Sequence, residues 1–155
     1  MSFRLSGLDP APFAPLFTLD DSALAARGMR RVVADSDSGY PCRVSLEDAR
    51  AGQELILVPW EHVAGDTPYR ASGPIFVRRG ARQRMLVPGE VPLYVSKRQM
   101  SLRAYDSAWL MVDATVCEGD AVARELDRLF ANVAVARIHL HNARRGCYSC
   151  AAERA

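Results

Sequence analysis

The stretch "RIHLHNARRGCYSC", residues 137–150, holds two of the three histidines and two of the four cysteines of the chain. Read as a strand, "AVARIHLHN" puts Ala134, Ala136, Ile138 and Leu140 on one face and Val135, Arg137, His139 and His141 on the other. That spacing sets the two imidazoles about 6.6–6.8 Å apart along the strand, beside a guanidinium. A same-face His-x-His pair can give a metal two nitrogen ligands. Asn142 and Gly146 are turn residues, and Gly146 can take positive φ directly before Cys147. A chain turning there brings Cys147 back toward His141, with Arg144 and Arg145 favouring its thiolate. The expected roles follow. Cys147 is nucleophile or ligand, His141 base or ligand, and His139 its neighbour in the same catalytic or metal site. Arg137, Asn142 and Cys42 are expected on the substrate side. The plain alternative is a solvated or hydrogen-bonded polar face with a thiol packed as a small hydrophobe.

A metal at this place would be zinc or another divalent ion, held by His139, His141 and Cys147. Adding Cys150 gives H-x-H-x5-C-x2-C, a sulfur-rich tetrahedral set with a short gap between its ligand pairs. An open site of two histidines and a distant carboxylate is the other form.

Other residues carry weaker signals. Cys42 follows Pro41 and reads as core or as a partner of Cys147. In "VPWEHV" Glu61 and His62 fall on opposite faces of a strand, whereas Trp60 and His62 share one and can line a pocket. "RRGARQR" gathers Arg78, Arg79, Arg82 and Arg84 at an expected hairpin tip able to touch phosphates. No aromatic is interleaved, so stacking on single strands is not supported. Ser72 before Gly73 and Pro74 is not a G-x-S-x-G elbow, and no G-x-G-x-x-G or Walker loop is present.

The elements that must position these residues read as follows. "SFRLSGL" alternates as a short strand, and "LDDSALAARG" is a helix ended by Gly28. "MRRVVADS", "CRVSL", "ELILVPWEHV" and "IFVRR" are extended, with Pro59 marking a sheet edge or strand end. "MSLRAYDSAWLMVDATVCEG" is a hairpin turning on "DSAW". "GDAVARELDRLFANV" is a helix whose Val122, Leu126, Leu129 and Phe130 make one buried face, with Asp120 as its cap. The strand bearing the histidines closes this hairpin-helix-strand segment. The fold expected is α+β, one domain over residues 1–155, a mixed and mostly antiparallel sheet with two or three helices.

The 155 residues suffice for one core, and an apolar share of 49% excludes a disordered chain. A net charge of +2 does not call for a polyanionic partner, and nucleic acid is not the expected one. No export signal or spanning segment is read, so a cytoplasmic protein with reduced thiols and no membrane partner is expected, with a homo-oligomer left open.

"PCRVSLEDA", "SGPIFVR", "RAYD" and "HLHNARRGCY", in this order over nearly the whole length, resemble the bacterial domain-of-unknown-function family numbered 1203. The match falls on His139, His141, Asn142, Gly146 and Cys147, and on Cys42, Ser72, Gly73 and Pro74. The resemblance implies a name and no mechanism. Cys150 stands outside the pattern, which favours Cys147 as the sulfur that matters. Two readings remain: a small enzyme or metal protein built on these residues, and a non-enzymatic binding protein using the arginine-rich hairpin and a sheet edge.

Overall fold

In the computed structural model, which describes residues 2–155, the strands divide between two five-stranded sheets. The first has the order β1 (Phe3–Ser6), β10 (Tyr148–Arg154), β9 (Arg137–Asn142), β7 (Gln99–Tyr105), β8 (Met111–Glu118), antiparallel throughout. The second has the order β2 (Arg30–Val33), β5 (Glu54–Val63), β6 (Ala71–Arg78), β3 (Pro41–Cys42), β4 (Glu47–Asp48), with β3 and β6 parallel. Three short helices, α1 (Asp21–Ala26), α2 (Leu93–Ser96) and α3 (Val122–Phe130), complete the α+β fold. Among the described residues no helix is long and apolar enough to cross a membrane.

The late hairpin and helix form as their patterns predict. β7 and β8 flank the turn, and α3 buries Val122, Leu126, Leu129 and Phe130. These pack on Met100, Leu102, Ala104, Ile138 and Leu140, so one face of the first sheet is the main core. The opposite face must therefore carry Arg103, Arg137, His139 and His141, and it meets the second sheet where β6 lies against β10. A second core joins Ile56, Val58, Ile75 and Val77 to Phe13, Leu16 and Leu24 of the N-terminal segment. Asp20 caps α1, accepting from Ala23 N–H at 2.7 Å, and Gly28 stands at φ +70° just beyond its end.

Several expectations are corrected. Asp120 does not cap α3: the helix is entered through a 3₁₀ turn, Gly119–Ala121, and Ala121 stands at the cap position. "GAR" is not a hairpin tip followed by a strand. β6 ends at Arg78, and the chain then crosses to β1, where Ser6 and Met85 form an isolated bridge. Pro88 and Pro92 deny that segment a continuous ladder. Pro59 ends nothing. It lies inside β5 opposite Pro74, past the point where β2 stops at Leu57, so the outer flank of β5 there is a local edge. Finally, β10 follows the histidine strand and seats it in the sheet interior.

One close crossing matters for the site. A Cβ on Gly7 would lie 1.9 Å from the Val44 carbonyl oxygen. Leu8 N–H donates to Arg43 O at 2.8 Å and Arg84 N–H to Val44 O at 3.0 Å. The segment after β3 is thus clamped from two sides, and Arg43 is set within it.

Candidate functional site: a thiol in a basic cleft beside a histidine box

Because Ile138 and Leu140 face α3, His139 and His141 face the second sheet. They are not solvated: His139 is 4% exposed and His141 fully buried. Their ring centroids stand 6.4 Å apart, close to the spacing expected along a strand. His62 joins them. The ladder of β5 shifts register between Glu61 and Val63, which leaves His62 unpaired at a bulge. Its ring lies 4.8 Å from that of His141 and 6.0 Å from that of His139. Tyr148 stacks on His62 at 5.7 Å, while Tyr105 and Trp109 meet His139 edge-on at 5.4 and 5.2 Å. All three histidines of the chain therefore share one aromatic box. Arg137 closes it, its guanidinium 4.1 Å above the Trp109 ring. Trp109 adopts φ +63° in the β7–β8 turn, where Asp106 Oδ1 accepts from Ala108 N–H and Leu110 N–H at 2.9 Å each.

Burial keeps these imidazoles neutral. His139 is pushed down to about 3, first by burial and then by His141, His62 and nearby arginines. His141 is pushed down to about 4 by burial, partly opposed by its bond to the Gly146 carbonyl. His62 is lowered by burial and then by Arg103, the Trp60 backbone working the other way. His139 Nδ1, His141 Nε2 and both ring nitrogens of His62 are buried without a well-formed hydrogen bond.

Cys147 is presented by the turn between β9 and β10. Gly146 stands at φ +76°, the conformation expected of it, and donates to Asn142 O at 2.7 Å. Asn142 N–H returns a bond to Cys147 O at 2.9 Å. His141 Nδ1–H donates to Gly146 O at 3.0 Å, which fixes its tautomer. The sulfur then accepts from Arg43 Nη2 at 3.1 Å and Asn142 Nδ2 at 3.3 Å. Arg43 is only 2% exposed. Its Nε–H donates to Tyr148 O at 2.7 Å, and Nη1 donates to Pro41 O. Among the described residues no carboxylate forms an ion pair with it. A buried guanidinium with no counter-charge is costly, and the partner it does have at its free end is a thiol.

Cys147, Asn142, Arg43 and His62 line an open cleft of about 1330 Å³ between the sheets. Its wall also bears Lys97, Arg98, Arg144 and Arg145, against Asp35 and Glu118. Arg43, Tyr148, Tyr105 and Trp109 are site residues that no sequence signal singled out. Arginine is rarely buried, and nothing in "PCRVS" announces that this one is. His62 had a partial signal as the pocket face of its strand.

The remaining candidates fall elsewhere. Cys42 is fully buried in the second core, its sulfur accepting from Arg78 N–H at 3.3 Å. Cys150 packs in the core under α3, on the other side of the sheet from the histidines, where burial pushes its thiol up to about 12. All four cysteines are free. Among the described residues no group of three or more histidine, cysteine, aspartate or glutamate side chains is arranged to hold a metal ion. Of the arginines after β6, Arg79 pairs with Glu54 at 2.8 Å and Arg84 with Glu90 at 3.1 Å.

The chain is thus a two-sheet α+β fold with a cysteine on a basic cleft near a buried histidine box. A family model described as "Protein of unknown function (DUF1203)" matches residues 39–154, which includes Cys147, Arg43, Asn142 and the three histidines. The chain belongs to that family. No curated protein and no solved structure matches it.

Proposed function

We propose that this protein is an enzyme of thiol chemistry with Cys147 as its nucleophile. The observation that carries the reading is the uncompensated, buried Arg43 donating to Cys147 Sγ beside a second donor from Asn142. The thiolate is the reactive form of cysteine, and its charge would answer that of the guanidinium. In the reaction the sulfur electron pair forms a bond to an electrophilic atom of the substrate. The bond to the leaving group breaks, and the leaving group departs with that bond's electrons. An acceptor nucleophile, either water releasing a proton to solvent or a small thiolate, then displaces the sulfur and regenerates Cys147. Arg137, His139 and His141 act behind this centre: the box holds the turn, and His141 does so through the Gly146 carbonyl. Cys42 supports Arg43 only as packing of its strand.

Cys117 is an internal control. It too is partly exposed, yet burial and the nearby Glu125 raise its thiol. Neutral iodoacetamide at limiting concentration, with the labelled sites read by mass spectrometry, should modify Cys147 first. Asn142→Ala should slow that labelling while leaving Cys117 unchanged. Equal labelling of both cysteines, with no effect of Asn142→Ala, overturns the assignment.

A further inference from the structure

The cations of the cleft are not equivalent. Lys97 and Arg98 are both held by Asp48, at 2.5 and 2.7 Å. Arg43 is committed to two carbonyls and the sulfur. Arg144 and Arg145 differ: they are exposed on the cleft wall, and among the described residues neither forms an ion pair. They occupy the turn that leads through Gly146 into Cys147, so their position is tied to that of the nucleophile. Lys97, Arg98 and Arg43 are balanced in number by Asp48, Asp35 and Glu118, so the unpaired guanidiniums of Arg144 and Arg145 are what tip the cleft positive and favour a negatively charged occupant.

We infer that the substrate of Cys147 is a small anion, its carboxylate or phosphate group taken by Arg144 and Arg145 while its electrophilic atom meets the sulfur. The inference rests on the reading of Cys147 as nucleophile and adds the class of molecule it acts upon. The open cleft has room for a metabolite-sized ligand and more. Arginine rather than lysine suits the role because its planar fork binds an oxyanion through two parallel hydrogen bonds.

The test compares two aromatic disulfides that differ in charge, dianionic 5,5′-dithiobis(2-nitrobenzoate) and neutral 4,4′-dithiodipyridine. In each case the thiolate attacks one sulfur, the disulfide bond breaks, and the aromatic thiolate leaves with the electron pair. The ratio of the two rates at Cys147 cancels any change in the thiol itself. The Arg144→Ala/Arg145→Ala variant should lower that ratio on the order of tenfold, and 0.5 M salt should lower it in the unaltered protein. An unchanged ratio with a reactive Cys147 overturns the anion inference and leaves the nucleophile standing. If Cys147 reacts with neither reagent, the nucleophile reading falls and the substrate claim with it, and binding decides whether Arg144 and Arg145 still form an anion site. Amide NMR shifts of Asn142 and Gly146 in Cys147→Ser, titrated separately with inorganic phosphate and with acetate, then report on the cleft. Saturable shifts that vanish in the double arginine variant support an anion site and say which oxyanion it prefers. No shift with either anion overturns it.

Discussion

The histidine box should make the fold acid-sensitive in a window where carboxylates are nearly silent. A histidine has an unfolded value near 6.5, and in the folded protein His139 lies at about 3 and His141 at about 4. Both are depressed, so the unfolded chain binds more protons than the folded one below pH 6.5. Their stabilising contribution is therefore complete above about pH 6.5 and is lost as pH falls toward 4 and then 3. Each pH unit costs about 1.4 kcal/mol per group, so moving from pH 7 to pH 5 costs about 2 kcal/mol for each histidine. Both stay largely neutral in the folded protein at pH 5, so their mutual repulsion is not yet felt and the two losses add. The ion-paired Glu54 and Glu125 are shifted the other way, downward by their arginine partners. Their contribution is held above about pH 4.5 and lost only below it, outside this window.

Urea unfolding followed by tryptophan fluorescence measures the effect, since Trp109 packs on His139. His139→Phe keeps an aromatic ring in the box and removes one titrating group. Its loss of stability between pH 7 and pH 5 should be smaller than that of the unaltered protein by about 2 kcal/mol. Equal losses in the two proteins would show that His139 is not a buried neutral imidazole, and an uncharged histidine box would be refuted.

Two further outcomes test the frame of the thiol. Gly7→Ala forces a methyl group onto the Val44 carbonyl and should destabilise the fold by about 2 kcal/mol or more, measured by the same urea titration; an unchanged midpoint refutes the clamp around Arg43. Gly146→Ala meets no atom within 4 Å but must hold φ +76°, so it should cost about 1 kcal/mol and slow iodoacetamide labelling of Cys147; unaltered labelling would show that the turn does not set the sulfur.

The legible parts of this protein were those governed by short-range periodicity. The spacing of Val122, Leu126, Leu129 and Phe130 gave α3, and alternation around "DSAW" gave the β7–β8 hairpin. The alternation of β9 set Arg137, His139 and His141 on one face, and Gly146 foretold the turn before Cys147. What stayed hidden depends on partners distant in the chain. β10 reads "YSCAAER", with no β-branched residue, and is a strand because β1 and β9 pair with both its edges. Arg43 is buried because Tyr148, 105 residues on, offers it a carbonyl. Alternation gave His62 a pocket face, but the bulge that leaves it unpaired depends on the facing strand β6 and is not announced in "WEHV".

The box and the thiol are connected by what irregular backbone requires. A left-handed Gly146 aims its carbonyl at His141 Nδ1, and a register shift between Tyr148 and Cys150 follows it in the ladder. Buried carbonyls need donors. Gly146 O takes its donor from the Nδ1–H of a neutral His141, which an apolar side chain at position 141 could not supply. Arg43 answers the carbonyls of Tyr148 and Pro41 in the same way. A guanidinium has five N–H groups, more than those carbonyls can use, and its Nη2 is directed to the sulfur. The electrostatic setting of Cys147 is thus a consequence of how the β9–β10 turn is satisfied. It follows that the turn and the hydrogen bonds received by the Cys147 sulfur cannot be altered independently.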